Sequence, residues 1–549
     1  MSNLITKLKS KKEFLYIASI LIILITINFR ILNTWFIIDD TANIFCSSFD
    51  TINLLFDKGT YLYFNQLFFT PLLPISFKLD WILFKMNPLG YHLINLFVAF
   101  LCCLMFYKLQ RIYFTPFASW IGTIVMSISL PMSFDISWVT RKHYLWGFFF
   151  TLTAIYFFKS WEENKKKYLL LFSLITTLIS FLFKEAYAYL PALVFVISAG
   201  SISDRAKNST PYFLILIVYI FWRIHILGGI GGYPGSIEKS FVYLFNKLLY
   251  LPVNLSKNLY GLSYFPFLFF IILAFLDYKW LIFLILIIFI VISPFIFYPA
   301  EDFLLANKAL SFVAVFSFIL SYISNKLLKH RKIYLLIFFL FLIPALFGSI
   351  SKIRLSQNAV IQLSSNYKKA SDEILKNSNE KILVIGNYSY YFSNLEDIYK
   401  KMLKKDFPYI KSISDTVVLP YLDKTDFDKI ILTQNLNLEQ DIAFESDVKI
   451  LTGSESKQFI LENLKSKNFS NPPDVNFTPT SDHVIININD SRKGTYLRCL
   501  YMGTYVGCYP IPKKYLFKFN KVKHIDRIDI IFLSENGIPS KPSSFVLQK

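Results

Sequence analysis

Long apolar runs set the rhythm of the first two thirds of this chain. "EFLYIASILIILITINF" and "WLIFLILIIFIVISPFIFY" approach or reach the roughly 20 apolar residues needed to cross about 30 Å of hydrocarbon. Runs of this kind predict eleven spans, at about 13–33, 90–107, 115–132, 144–158, 168–183, 187–200, 211–228, 263–276, 281–298, 309–324 and 333–350. Several are short, which calls for tilt or local thinning of the bilayer. The first run is too long for a signal-peptide core and lacks a small-residue cleavage site, so it reads as a retained span. The pattern changes near residue 352, where hydropathy falls and Lys, Asp, Asn and Ser become frequent. Residues 352–549 are long enough for one soluble domain. There "KILVIGNYSYYF" (381–392) predicts a buried strand running into a turn, "NLEDIYKKMLKK" (394–405) a helix, and "FDKIILTQ" and "DHVIININ" further strands. The expected architecture is a polytopic α-helical membrane core, 1–351, with its first outer loop at 34–89, followed by a small α/β or α+β domain.

Composition enters mainly by exclusion. With 54% hydrophobic, 18% aromatic and only 17% charged residues, the 549-residue chain does not read as soluble. Lys and Arg are distributed unevenly. With the N-terminus inside, the short inner segments hold seventeen, from Lys7 to Lys332, and the longer outer segments up to residue 350 about eleven. That asymmetry predicts a cytoplasmic N-terminus and, with an odd number of spans, an extracytoplasmic C-terminal domain at the plasma (inner) membrane. The net charge of +20 then needs no nucleic acid, since positive-inside loops, anionic lipid and a basic tail account for it. Cys102 and Cys103 lie in a span, as small hydrophobes. Cys499 and Cys508 flank "LYMGTYVG", a hairpin-turn pattern, and form a candidate extracytoplasmic disulfide.

This topology brings four charged clusters to one membrane face: Asp39 and Asp40; Arg141, Lys142 and His143; Lys184 and Glu185; and Glu301, Asp302 and Lys308. Charge near hydrocarbon is costly and often marks a site. Each cluster also has a structural reading. The acid pair before "TANIF" could cap a surface helix, Arg141 and Lys142 could be snorkelling anchors, Lys184 and Glu185 a neutralised hairpin pair, and Glu301 and Asp302 a helix cap. Taken together they suit another chemistry. Cations at the boundary fit a lipid-linked phosphate, and a carboxylate fits a general base or a ligand for a divalent cation.

Read in order, "FIIDDTANI", "TPLLPISFKLDWILFKMNPLGYHLINLFVAFLCCLMFYKL" (70–109), "ISWVTRKHYLWGFFFTLTAIYFF" (136–158) and "FLFKEAYAYLPALV" (181–194) resemble the membrane half of GT-C glycosyltransferases. The similarity is closest to classical and tetratricopeptide-linked protein O-mannosyltransferases. It covers roughly 13–320, and "WRIHILGGIGGYPG" (222–235) is also similar to a loop of bacterial members. The resemblance implies an inverting hexosyl- or pentosyltransferase that moves a sugar from a polyprenyl-phosphate donor to a glycan, lipid or protein acceptor outside. It implies Asp39 as base and Asp40 as an orienting group, the two as candidate ligands for magnesium or manganese. Arg141, Lys142 and Lys184 are implied for the donor phosphate, with His143, Glu185, Glu301, Asp302 and Lys308 in support. The chain departs from the pattern at Thr140, where relatives have Gly, and at His143, where they carry an acid. It departs again at Asp302, where they carry Arg, and at Ala99, where His is frequent. A lipid-linked polysaccharide flippase and an inactive GT-C-like scaffold are the competing readings. A flippase favours charges along a path through the bilayer, and the mid-span positions here are almost bare of them.

Overall fold

The computed structural model describes residues 2–65, 68–229, 231, 265–293, 309–328, 332–376, 379–385 and 390–413. It further describes 427–433, 448–452, 454–458, 471–479, 483–489, 494–502, 505–511, 514–518, 527–534 and 542–546. In chain order the helices are α1 (Ser2–Asn28), α2 (Asp40–Cys46), α3 (Thr51–Phe56), α4 (Lys58–Phe64), α5 (Leu72–Phe84), α6 (Pro88–Arg111), α7 (Pro116–Ser127) and α8 (Leu130–Ser137). They continue as α9 (Lys142–Asn164), α10 (Lys167–Phe183), α11 (Leu190–Ile197), α12 (Ile202–Leu227), α13 (Phe265–Ile292), α14 (Leu310–Leu327), α15 (Lys332–Ile374) and α16 (Tyr390–Asp397).

The chain divides into two compact units, one of 1–34 and 65–361 and the other of 35–64 and 362–549. The first is helical. Among the described residues five helices are long and apolar enough to cross a membrane: Lys12–Ile31, Pro88–Arg111, Ile202–Leu227, Leu310–Leu327 and Phe338–Ile374. A sixth candidate is the pair α7–α8, bent by 53°. Eleven separate spans are therefore more than the described helices support. The runs at 144–158, 168–183 and 187–200 fall on shorter or more polar helices. Those at 263–276 and 281–298 are separated where expected, since the described part of this stretch, α13, is two helices meeting at a kink at Asp277 (φ −168°, ψ 91°). Asp277 itself explains the break, because its carboxylate accepts from the Trp280 amide and from Tyr322 Oη, 2.8 Å away.

Gly122 sets how closely α7 and α14 pack, since a Cβ there would stand 2.5 Å from the Ser317 carbonyl. Lipid tails solvate Leu as well as Leu does, so helix pairs in a bilayer gain from backbone proximity and polar contacts. Ser321 Oγ donates to Gln110 Oε1 at 2.6 Å beside that contact, tying α14 to α6.

The second unit carries β1 (Lys381–Ile385), β2 (Tyr409–Ile413), β3 (Lys429–Thr433), β4 (Val448–Thr452), β5 (Val475–Pro479) and β6 (His483–Ile488). Then come β7 (Gly494–Met502), β8 (Tyr505–Ile511), β9 (Lys514–Lys518), β10 (Arg527–Ser534) and β11 (Ser543–Val546). Eight strands form one mixed sheet in the order β11-β10-β7-β8-β2-β1-β3-β4, and β5-β6-β9 form a small antiparallel one. The centre of the large sheet is parallel, β1 between β2 and β3. After the exposed Lys381, "ILVI" is continuously apolar as a strand covered on both faces should be, and Ile382 to Ile385 are all buried. The strands expected from "KILVI", "KIILT" and "HVIINI" are β1, β3 and β6. The hairpin expected around "LYMGTYVG" is β7–β8, in whose antiparallel register Cys499 stands opposite Cys508. The helix expected over 394–405 is α16, which starts earlier and passes into a π-helical turn at Ile398–Met402. The helix α15 runs across residue 352, from Lys332 to Ile374.

Candidate functional site

In the first unit a short sequence, "NPLGYHLIN", builds the support for the predicted basic residues. Asn87 caps α6 by accepting from the Leu89 amide, and Pro88 occupies the first turn, where its missing N–H costs nothing. Gly90 leaves room for the Phe84 ring, which a Cβ at that position would overlap. Tyr91 Oη donates to the Lys85 carbonyl at 2.9 Å. One turn on, the buried His92 ring lies 3.1 Å from the Ile136 carbonyl and 3.0 Å from Thr34 Oγ1. Asn95 Nδ2 donates to the Asp135 carbonyl at 3.3 Å. These bonds fasten α6 to the end of α8, from which the chain turns through Arg141 into Lys142 and His143 at the start of α9.

Arg141 is buried. Its Nε donates to Asp135 Oδ1 at 2.6 Å, and its guanidinium lies 4.5 Å from the Tyr144 ring centre and 4.7 Å from that of Phe134. Lys184, on the turn after α10, approaches the same Tyr144 ring at 5.2 Å and the Phe68 ring at 4.3 Å. Two of the predicted cations thus share one aromatic ring. Tyr144 is held in turn by its carbonyl, which accepts from Tyr187 Oη at 2.6 Å. Glu185 Oε1 pairs with Lys184 Nζ at 3.0 Å, and its Oε2 lies 3.8 Å from Arg223 Nη1. Lys142 turns elsewhere, into a buried ion pair with Asp80 beside the Phe77 ring. His143 Nδ1 lies 2.7 Å from the Thr140 carbonyl, and its ring packs on Tyr144. Four cations therefore stand among three carboxylates, which keeps the desolvation cost of this cluster bearable. Asp80, Asp135 and Arg223 were missed by sequence reasoning. Asp80 and Arg223 sat inside the stretches that carry the resemblance, but no spacing rule linked them to partners so far along the chain.

In the second unit Asp39 and Asp40 have separate environments. Asp40 is fully buried, and its Oδ2 accepts from the Ile37 amide at 2.8 Å. Asp39 is partly exposed and stands at the N-cap of α2, yet its side chain makes no capping hydrogen bond. Helix capping therefore does not account for Asp39. Between the amide and the acids lies Ile38 with φ 47°, a left-handed conformation that costs a β-branched residue about 1–2 kcal/mol. Burial of Phe36, Ile37 and Ile38 holds this turn in place. So do four hydrogen bonds: the Trp35 amide to Ser364 Oγ, Trp35 Nε1 to Tyr391 Oη (2.9 Å), Thr41 Oγ1 to the Tyr391 carbonyl (3.1 Å) and Asn43 Nδ2 to the Asp39 carbonyl (2.8 Å). Burial pushes the Tyr391 hydroxyl above the ordinary phenol range, against the opposing bonds of Ser371 and Trp35 and with the Asp40 charge adding to the rise.

Among the described residues no group of three or more His, Cys, Asp or Glu is placed to hold a metal ion. Glu301, Asp302 and Lys308 lie outside the described residues, as do the side chains of Cys499 and Cys508. Compared with protein-family models and with curated proteins, the sequence matches none.

Proposed function

We propose that this chain is an integral membrane glycosyltransferase of the GT-C type. It moves a sugar from a polyprenyl-phosphate donor to an acceptor at the extracytoplasmic face, with the N-terminus cytoplasmic. The observation that carries the reading is the pairing of Arg141 and Lys184 about the Tyr144 ring, in a unit whose helices suit a bilayer. Two cations on one aromatic ring, desolvated and held by carboxylates, suit a phosphate that arrives with a lipid. Asp39, partly exposed and not spent on capping, is the candidate proton acceptor for the incoming hydroxyl. Mass spectrometry of envelope glycans tests the reading. A deletion strain loses one sugar, and a plasmid copy restores it. Intact glycans in the deletion strain would sink it.

The second reading is an inactive scaffold with the same helical frame. It draws on the carboxylate beside each cation of the cluster, which a purely structural ion-pair set also requires. An Arg141→Ala chain that restores the glycans as fully as wild type would favour it.

A further inference from the structure

The expected first outer loop does not behave as one segment. Residues 35–64 belong with 362–549, whereas 65–89 belong with the helical unit. The acid pair thus belongs with the C-terminal part of the chain, and three of the hydrogen bonds that hold its turn come from there. Ser364 lies on α15 and accepts from the Trp35 amide. Tyr391 lies in the first turn of α16, and it takes both the Trp35 indole N–H and the Thr41 hydroxyl. Behind it Tyr367 and Phe392 pack at ring distances of 4.4 and 4.9 Å, all three buried. A turn that contains a left-handed Ile does not hold that shape by itself, and strained backbone persists only where its surroundings over-determine it. Here the surroundings are Ser364 and Tyr391.

We propose that Ser364 and Tyr391 are positioning residues for the acid-bearing turn, so that the C-terminal unit serves to set where the Asp39 carboxylate stands. Asp40 belongs to the same device. Buried and bonded to the Ile37 amide, it closes the turn, while Asp39 stays partly exposed beside it. The catalytic part of this inference rests on the glycosyltransferase reading; the positioning part does not.

The experiment uses the full chain in lipid nanodiscs, with Ser364→Ala, Ser364→Thr, Tyr391→Phe and, as a buried hydroxyl removed elsewhere in the same unit, Ser456→Ala. Amide hydrogen exchange over 36–41 and carbodiimide labelling of Asp39 and Asp40 across pH are read beside envelope-sugar restoration. Ser364→Ala and Tyr391→Phe are expected to speed exchange at least tenfold, to open Asp40 to label and to shift the pH midpoint of Asp39 labelling. Sugar restoration should fall about tenfold. Ser364→Thr, which keeps the hydroxyl, should restore all of these, and Ser456→Ala should change none. Exchange and labelling unchanged in both variants would overturn the proposal, and so would the same changes in Ser456→Ala. If exchange and labelling respond as stated but Asp39→Asn leaves the sugar intact, positioning stands and the transferase reading falls.

Discussion

The basic cluster of the helical unit and the acid turn of the second unit solve the problem of buried charge in opposite ways. Around Tyr144 each cation leans on a carboxylate, so structure and candidate chemistry reside in the same side chains. In the acid turn the two tasks are divided, with Asp40 closing the backbone and Asp39 left outside that bond. Division of labour makes a residue testable. A substitution at Asp39 leaves the bond between Asp40 and the Ile37 amide in place, whereas one at Arg141 takes a cation from Asp135.

The largest expected effect therefore lies at Asp39. Asp39→Asn keeps the shape, so thermal stability should match wild type while sugar transfer falls about 10²–10⁴-fold, the usual cost of losing a general base. Transfer within a few-fold of wild type would erase the functional half of the comparison. Next comes Arg141→Ala, where a charge-assisted contact worth about 1.5–3 kcal/mol is lost to the donor phosphate. Here, unlike at Asp39, stability should drop too, because the buried Asp135 loses its cation. Adding Asp135→Asn should recover stability but not transfer. A double variant as unstable as the single one would show that the pair is not coupled.

Smaller again is Gly90→Ala. The new Cβ meets the Phe84 ring and should cost about 1–3 kcal/mol in thermal unfolding through overpacking. It should lower transfer only as far as the α8–α9 turn shifts. An unchanged melting point would mean that the "NPLGYHLIN" frame tolerates repacking and does not hold Arg141 as tightly as the hydrogen bonds suggest.

The smallest effect is electrostatic and confined to the second unit. Lys429 lies 2.9 Å from Glu373 and 2.8 Å from Glu380. Burial lowers its pKa, but the bonds and charges of the two carboxylates outweigh this and hold it above the ordinary lysine range. A raised cation stabilises the fold below its unfolded pKa and loses that contribution as pH rises through the folded one. Lys429→Gln should thus cost up to about 1 kcal/mol near neutral pH. The gap should close at strongly alkaline pH as Lys429 deprotonates, and at acid pH as Glu373, held below the ordinary carboxylate range in part by Lys429, protonates. A gap that stays constant from acid to alkaline pH would assign the stabilisation to packing of the side chain and not to its charge.

Much of the fold was legible in the chain. Apolar length identified the long helices, because a backbone in hydrocarbon must satisfy its own hydrogen bonds. Continuous apolar strands in "KILVI" and "KIILT" marked the sheet for the same reason that any doubly covered strand does. The sequence also named Arg141, Lys184, Asp39 and Asp40, since charge beside apolar runs is conspicuous. It overcounted spans among the described helices, because hydropathy also picks out apolar runs on helices too short or too polar to cross, at 144–158, 168–183 and 187–200. Tertiary structure alone decided which charges pair: Asp135 with Arg141, Asp80 with Lys142, and Arg223 with Glu185. It alone assigned residues 35–64 to the C-terminal unit, with Ser364 and Tyr391 more than 320 residues from Trp35 in sequence. The physical reason is common to both. Periodicity and hydropathy report the local exchange of water for apolar surroundings, whereas pairing and loop placement depend on which distant atoms the fold brings within hydrogen-bond reach.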